Sequence, residues 1–387
     1  MRRTPRATPY NFFKTAYNIN GVPTGARFHG EYQTDTLGRF GRELVGKYAG
    51  RKPFFLYLSF VAPHHGDPDE ADDPHPVQRA DGSWQEFPTT ARPDWVKGRF
   101  DHLIRHAPGV LPSGETEADA TDKPGYLQTR PELTAAERAA LVEVTRQRAE
   151  AIYVMDLQIG RLVQRLKQTG EWRDTILMFT SDNGYFLGEH RIRQGKTTAH
   201  EPSLRVPFLM VGPGVPSGEQ RFDPITTVDI TATLLDLAGA AADPPAAPDG
   251  VSVVPSLDHG DQGWDRPVLN EALLRFMTPS EPGFDERGSI GIRTSRWSMI
   301  RYANGAGELY DLRTDPSQLT NLFRVKQYAD VRAALTKVWW QVKDCQGAAC
   351  RTAVLPPSLR ATPEEAADDY RTWAGGVRGG NSPVVTR

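Results

Sequence analysis

Apolar and polar positions along this chain alternate between two periods. Residues 53–62, PFFLYLSFVA, form a near-continuous apolar and aromatic run that ends at Pro63, His64 and His65. Such a run predicts a strand buried on both faces of a parallel sheet. Thr134, with Glu137 three residues on, stands as a capping box before apolar positions 141, 144, 152, 155, 159, 162 and 166. A long helix is therefore expected, ending at Gly170. Residues 175–179 and 206–211 read as further strands, the second closing in Gly212, Pro213 and Gly214, and residues 227–237 (TVDITATLLDL) read as a helix. Strand, helix, strand in this order implies a parallel sheet with right-handed crossovers. After an irregular stretch over 239–267, residues 290–302 and 308–312 read as strands of a hairpin-rich sheet, 328–342 as a covering helix and 375–381 (GGVRGGN) as a mobile tail. The expected organisation is an α/β domain over residues 1–250 and a smaller α+β subdomain over 251–387, with antiparallel sheet, helix and tail.

Composition narrows the function classes. With 387 residues, 39% of them hydrophobic, the chain can bury a large core. Forty-six basic against 48 acidic residues leave a formal charge of -2, which argues against a nucleic-acid partner. No apolar run approaches the roughly 20 residues of a membrane span, and the basic opening MRRTPRATPYNFF lacks an apolar h-region, so no export signal is read in this chain. The two cysteines, Cys345 and Cys350, are close enough in sequence to close a small disulfide loop, with free thiols as the alternative. Zinc would need two further ligands nearby, and the sequence offers none. A disulfide implies an oxidising compartment, at odds with the missing signal.

Residues 180–190, TSDNGYFLGEH, follow one of the expected strands. Asp182 and Asn183 supply hard oxygen donors of the type that suits calcium or magnesium, and Gly184 lets the backbone turn sharply beside them. Alone, the tetrapeptide reads as an Asx-turn leaving a strand rather than as a metal site. His64 follows another strand, so it and the 181–184 loop are both expected at the carboxyl edge, where ligands bind in such sheets. The run 64–75 (HHGDPDEADDPH) mixes imidazoles with carboxylates; it reads as a solvated acidic loop rather than a second metal site.

The ordered series Ser181 to Gly184, Gly188 to His190, Gly195 to Thr197, Arg205 to Pro207 and Gly212 to Gly214 resembles the sulfatase family of the alkaline-phosphatase superfamily. The likeness extends upstream through Tyr32 to Asp35, 54–59 and Ala62-Pro-His64, and downstream through 308–316 and 320–322. The resemblance implies an alkaline-phosphatase-like, mostly parallel α/β sheet flanked by helices. It further implies Asp182 and Asn183 as calcium ligands, and Lys196 and His64 as groups that contact a sulfate ester and its leaving oxygen. A divalent ion, an ammonium and an imidazole aimed at a sulfate ester would stabilise the charge that builds on it. His190 has two readings, a substrate contact or a merely hydrogen-bonded loop histidine. His200 stands where many relatives carry Tyr, and Pro202 where many carry a second acid; neither is assigned a role.

The family's nucleophile is a formylglycine made within a Cys/Ser-x-Pro-x-Arg motif, and its calcium shell takes two aspartates after the first strand. This chain contains neither the motif nor that pair. By the resemblance, the chain begins inside the family's pattern. A single truncation then accounts for the absent strand, ligands, nucleophile and signal, and a full-length parent could be exported. The expected function is a sulfuric ester hydrolase acting on a sulfated small molecule or glycan, inactive as this isolated chain. A phosphodiesterase or phosphonate hydrolase of the same superfamily is the alternative enzyme, and a remnant that only binds sulfated ligands the non-catalytic one. Substrate choice would rest on loops such as 66–131.

Overall fold

The computed structural model describes residues 9–110, 116–196, 198–240, 248–272 and 288–379. The chain divides into two compact units, one of residues 1–107 and 133–177, the other of residues 108–132 and 178–387. The boundary expected at 250/251 falls inside the second.

In the first unit, helix α1 (Gln33–Tyr48) packs on helix α2 (Ala135–Thr169). The capping box that starts α2 is formed: Glu137 N–H donates to Thr134 Oγ1 at 3.2 Å, and Thr134 N–H donates to Glu137 Oε2 at 2.8 Å. Gly170 stops the helix in the left-handed region at φ 84°. Gly38 and Gly46 let the helices approach: a Cβ would lie 2.5 Å from Gln158 Oε1 at the first and 2.1 Å from Arg165 Nη2 at the second. Between them Val45 meets Leu162 and Leu166, with Phe54, Leu56 and Leu58 packed alongside. Each such buried aliphatic side chain contributes about 1.5–3 kcal/mol.

That packing corrects the reading of residues 53–62. The segment is extended but joins no ladder among the described residues. Only alternate side chains face the helices, while Phe55 and Tyr57 are 73% and 77% exposed. A continuous apolar run predicts two covered faces, and here the described residues cover one.

The 64–75 run is likewise not a simple solvated loop. Arg92, 1% exposed, draws Glu70 to 2.6 Å, Asp72 to 2.5 Å and, from α2, Glu150 to 2.6 Å. A buried guanidinium left without carboxylates would be costly, so the loop folds inward around it. Lys97 reaches the same Glu70 at 3.1 Å. Glu70, Asp72 and Asp73 lie close enough to share a cation, and Arg92 already occupies that role for the first two.

In the second unit, strand β1 (Leu177–Thr180, whose first residue still counts with the other unit) pairs with β2 (Phe208–Val211). Helix α3 (Thr227–Leu237) opens on a capping box between Thr226 and Asp229. Strands β3 (Val268–Ala272), β4 (Ser289–Arg293), β5 (Trp297–Tyr302) and β6 (Gly307–Asp311) form an antiparallel sheet of order β6-β5-β4-β3. The single strand expected over 290–302 is thus two, broken where Trp297 N–H bonds Thr294 Oγ1 at 3.0 Å. Helix α4 (Ala329–Val342) covers this sheet, burying Leu335, Val338 and Val342 against Ile292, Met299 and Leu309. Cys345 and Cys350 are joined by a disulfide with Cα atoms 5.2 Å apart. Helix α5 spans Pro363–Gly379, so residues 375–379 are helical rather than tail, and 380–381 lie outside the described residues. Its start explains this: Glu365 N–H donates to Thr362 Oγ1, Thr362 N–H donates to Glu365 Oε2, and Pro363 opens the first turn.

Candidate active site

The loop leaving β1 is fixed by close backbone approach. Gly184 N–H donates to Ser203 O at 2.8 Å, and a Cβ at this position would lie 2.0 Å from Pro202 O. Glycine is thus required by the neighbouring chain rather than by a left-handed turn. Upstream of it, Asp182 is exposed, with Oδ1 accepting from Asn183 N–H at 3.0 Å. Asn183 donates from Nδ2 to Gly184 O at 2.8 Å, which leaves its Oδ1 without a donor among the described residues. The loop therefore presents two adjacent hard oxygens, a donor set that fits part of a calcium or magnesium shell.

Lys196 stands farther along the same loop system, half-buried, and makes no hydrogen bond or ion pair among the described residues. Its neighbour Thr197, part of the Gly-Lys-Thr motif, lies outside the described residues. The segment before it is strained: His190 at φ 51° and Arg191 at φ 58° follow Gly188 at φ 109°. Left-handed non-glycine residues cost about 1–3 kcal/mol each. Arg191 holds them by donating to Glu117 O at 2.7 Å, Ala118 O at 2.6 Å and Arg130 O at 3.1 Å. Glu189 helps from within the turn, its Oε2 accepting from Leu187 N–H at 2.6 Å.

Beneath this loop lies a buried ionisable network that the sequence did not announce. His190, 2% exposed, bonds Glu117 Oε2 through Nδ1 at 3.0 Å, and Glu117 meets Lys123 at 2.8 Å. The His190 ring lies 4.4 Å from that of His200, tilted 42° to it, and His200 Nε2 bonds Glu308 Oε2 at 2.9 Å. Glu308 also accepts from the hydroxyls of Tyr302 and Tyr310. Burial would raise Glu308, but the His200 charge and these three donors outweigh it and hold the carboxyl at about 2. His190 is pushed down by burial and by His200 beside it, with Glu117 opposing. Its Nε2 has no partner among the described residues. Glu117, Lys123, Glu308 and Tyr302 thus gather with His190 and His200 in one buried cluster. Only Glu308 carried a signal, inside the hairpin motif at 308–316.

A cavity of about 980 Å³ opens in this unit between β2 and α5, lined among others by Tyr185, Glu189, Arg205 and Trp373. Arg205 lies 3.7 Å over the Trp373 ring. Burial pushes Glu189 up to about 6. Asp182, Asn183 and Lys196 do not line this cavity. His64 belongs to the other unit, where its Nδ1 lies 2.8 Å from His65 O and its ring 4.5 Å from Tyr10.

Comparison with known families decides the identity of this loop system. The sulfatase family model matches residues 3–240. The chain belongs to the sulfatase family. A second model, described as N-sulphoglucosamine sulphohydrolase, C-terminal, matches residues 188–344 of this sulfatase chain. An arylsulfatase of Volvox carteri is 30% identical over 381 residues, covering 89% of this chain and 56% of that protein. Human N-acetylglucosamine-6-sulfatase is 25% identical over 385 residues, covering 91% and 64%. The sulfatase chain thus spans little more than half the length of the first relative and under two thirds of the second. Among solved structures, one in complex with its substrate D-glucosamine-2-N,6-O-disulfate superposes with TM-score 0.63 at 19% identity, covering 87% of this chain and 73% of that one. A phosphonate monoester hydrolase of Agrobacterium radiobacter superposes with TM-score 0.55 at 26% identity, covering 87% and 64%. The fold is the alkaline-phosphatase-like α/β fold of the sulfatases, with a C-terminal subdomain.

Proposed function

We propose that this chain belongs to a calcium-dependent sulfuric ester hydrolase acting on sulfated sugars. In this reading Asp182 and Asn183 are metal ligands, and Lys196 and His64 contact the ester. One observation carries it: exposed Asp182 and its neighbour Asn183, whose Oδ1 has no donor among the described residues, follow each other on a backbone clamped at Gly184, and Lys196 has no competing anion among the described residues. A bound divalent ion would act as a Lewis acid toward the ester oxygens. Lys196 supplies a fixed positive charge to the same oxygens, and the His64 imidazole is a proton donor for the leaving oxygen. Relatives named for aryl sulfate, glucosamine sulfate and disulfated glucosamine support the substrate class. The phosphonate hydrolase at 26% identity supports a second reading, in which the same groups serve a phosphonate or phosphodiester.

The chain alone is expected to show no turnover, because no Cys or Ser of the nucleophile motif is in it. Two oxygens of the roughly 6–8 that calcium takes should bind it weakly, with Kd at or above about 10⁻⁴ M. The test is calorimetric titration of calcium into the soluble chain, with an aryl sulfate assay beside it. Calcium binding lost in Asp182→Ala supports the ligand assignment, and unchanged binding overturns it. Robust turnover that both Asp182→Ala and Lys196→Ala abolish would refute inactivity and require another nucleophile. Sulfated-sugar binding without turnover is the outcome shared with a non-catalytic remnant.

A further inference from the structure

We infer that the outer face of α4 carries a second, non-catalytic binding site for an anionic glycan, specifically a sulfated oligosaccharide chain. The inference rests on the reading that the protein acts on sulfated sugars. A groove of about 710 Å³ runs along α4, lined by Arg301, Arg332 and Lys337 together with Phe323 and Trp340, and among the described residues no Asp or Glu lines it. At about 100° per residue Arg332 and Lys337 lie about 140° apart on α4 with Trp340 between them, and Arg301 of β5 lines the same groove.

The cations here differ from three other enclosed guanidiniums. Arg92 meets three carboxylates, Arg266 meets Asp229 and Arg293 meets Glu201. Arg301 has no ion pair or hydrogen bond among the described residues, and its Nε is buried and unpartnered. Its guanidinium lies 5.5 Å from the rings of both Phe323 and Trp339, so aromatic faces hold it in place without neutralising it. Burial is the one cause that lowers its pKa, with no carboxylate acting against it. Lys337 is also without an anion among the described residues, and Arg332 bonds only the Phe323 carbonyl oxygen. A folded chain of net charge -2 has carboxylates to spare, yet none is placed here.

The indole of Trp340 decides the class of anion. It is 64% exposed at the end of this cationic row, and presents a flat apolar surface of the kind on which the C–H face of a pyranose ring stacks. Sulfate groups on such a sugar are planar-fork acceptors for Arg301 and Arg332 and point-charge partners for Lys337. An acidic peptide would satisfy the cations and leave the indole unused. A glycan held here would keep a polymeric substrate attached while another part of the protein acts on it.

The test is calorimetric titration of a heparin-derived hexasaccharide, and of its fully desulfated counterpart, into the full chain. The expected result is salt-sensitive binding of the sulfated form only, weakened about tenfold by Lys337→Glu and about fivefold by Trp340→Ala. Both positions are exposed, so folding is retained, and circular dichroism checks it. Lys196→Ala and Asp182→Ala should leave the part of this binding that Lys337→Glu weakens unchanged. Binding that survives Lys337→Glu but falls in Lys196→Ala would overturn the groove and leave the proposed active site standing. Absent binding, or equal binding of the desulfated sugar, also overturns it. Polyglutamate binding as tightly as the hexasaccharide, and indifferent to Trp340→Ala, would reassign the groove to acidic peptides.

Discussion

Both units bury charge, and they do so with opposite chemistry. Around Arg92 the central group is a guanidinium, and the carboxylates of Glu70, Asp72 and Glu150 gather on it. Around His190 and His200 the central groups are imidazoles whose tilted rings lie 4.4 Å apart, with a carboxylate at each end. Glu70 and Glu150 are raised by burial more than Arg92 lowers them. Glu308 is lowered, because its donors outweigh the same burial cost. A buried ion cluster can therefore favour or oppose the charged form of its carboxylates, depending on how many donors each oxygen receives.

The largest way to break this comparison is Arg92→Met. It strands two buried carboxylates, and should cost about 3–5 kcal/mol, read as a lower urea midpoint. A loss below 1 kcal/mol would mean the carboxylates simply take up protons. Glu308→Gln keeps acceptors for the tyrosines but removes the charge facing His200, and should cost about 1.5–3 kcal/mol.

The pH dependence separates the clusters by sign. Glu308 is depressed from 4.5 to about 2, so its contribution is fully present above pH 4.5 and is lost as pH falls toward about 2. Lowered below the ordinary 6.5, His190 costs stability as pH falls below 6.5, because the unfolded chain takes the proton first. Glu70 and Glu150, raised above 4.5, act the other way: acidification from their folded values down to 4.5 adds stability. Between pH 8 and pH 5 the His190 loss is opposed by Glu189, raised to about 6, so His190→Gln should turn the urea-midpoint profile toward rising stability on acidification. An unchanged slope in this variant would show that His190 is not the titrating group. The smallest expected effect is Thr134→Ala, about 1 kcal/mol from the lost cap of α2, with no change in the pH profile.

Much of the local architecture was legible because it is written in neighbours. Thr134, Glu137 and Gly170 mark the ends of α2, and the run 227–237 coincides with α3. The cap and the stop are set by residues three positions apart or by one backbone dihedral, which a sequence displays directly. Partnerships across the chain were not legible. Glu117 lies 73 positions from His190, and Glu308 lies 108 from His200; no periodicity links them. The same limit explains Arg92, whose carboxylates at 70 and 72 looked like a solvated run until the guanidinium was seen among them. At the candidate site, Asp182, Asn183 and Lys196 were legible as residue types in an ordered motif. The clamp of Gly184 on Pro202 was not, because it is a contact between two loops.

The extended segment at 53–61 has a practical consequence. Phe54, Leu56 and Leu58 are committed to the helices, while Phe55 and Tyr57 and the unladdered backbone beside them face outward. Six or seven residues of high β-propensity, low charge and no proline are the signature of strands that stack on copies of themselves, and residues 54–60 (FFLYLSF) have that composition. The purified chain should therefore have a concentration-dependent shelf life, with light scattering that rises after a lag and is shortened by seeding. Replacing Tyr57 with Lys, on the outward face, should lengthen that lag without moving the urea midpoint, since the segment's other face carries the fold.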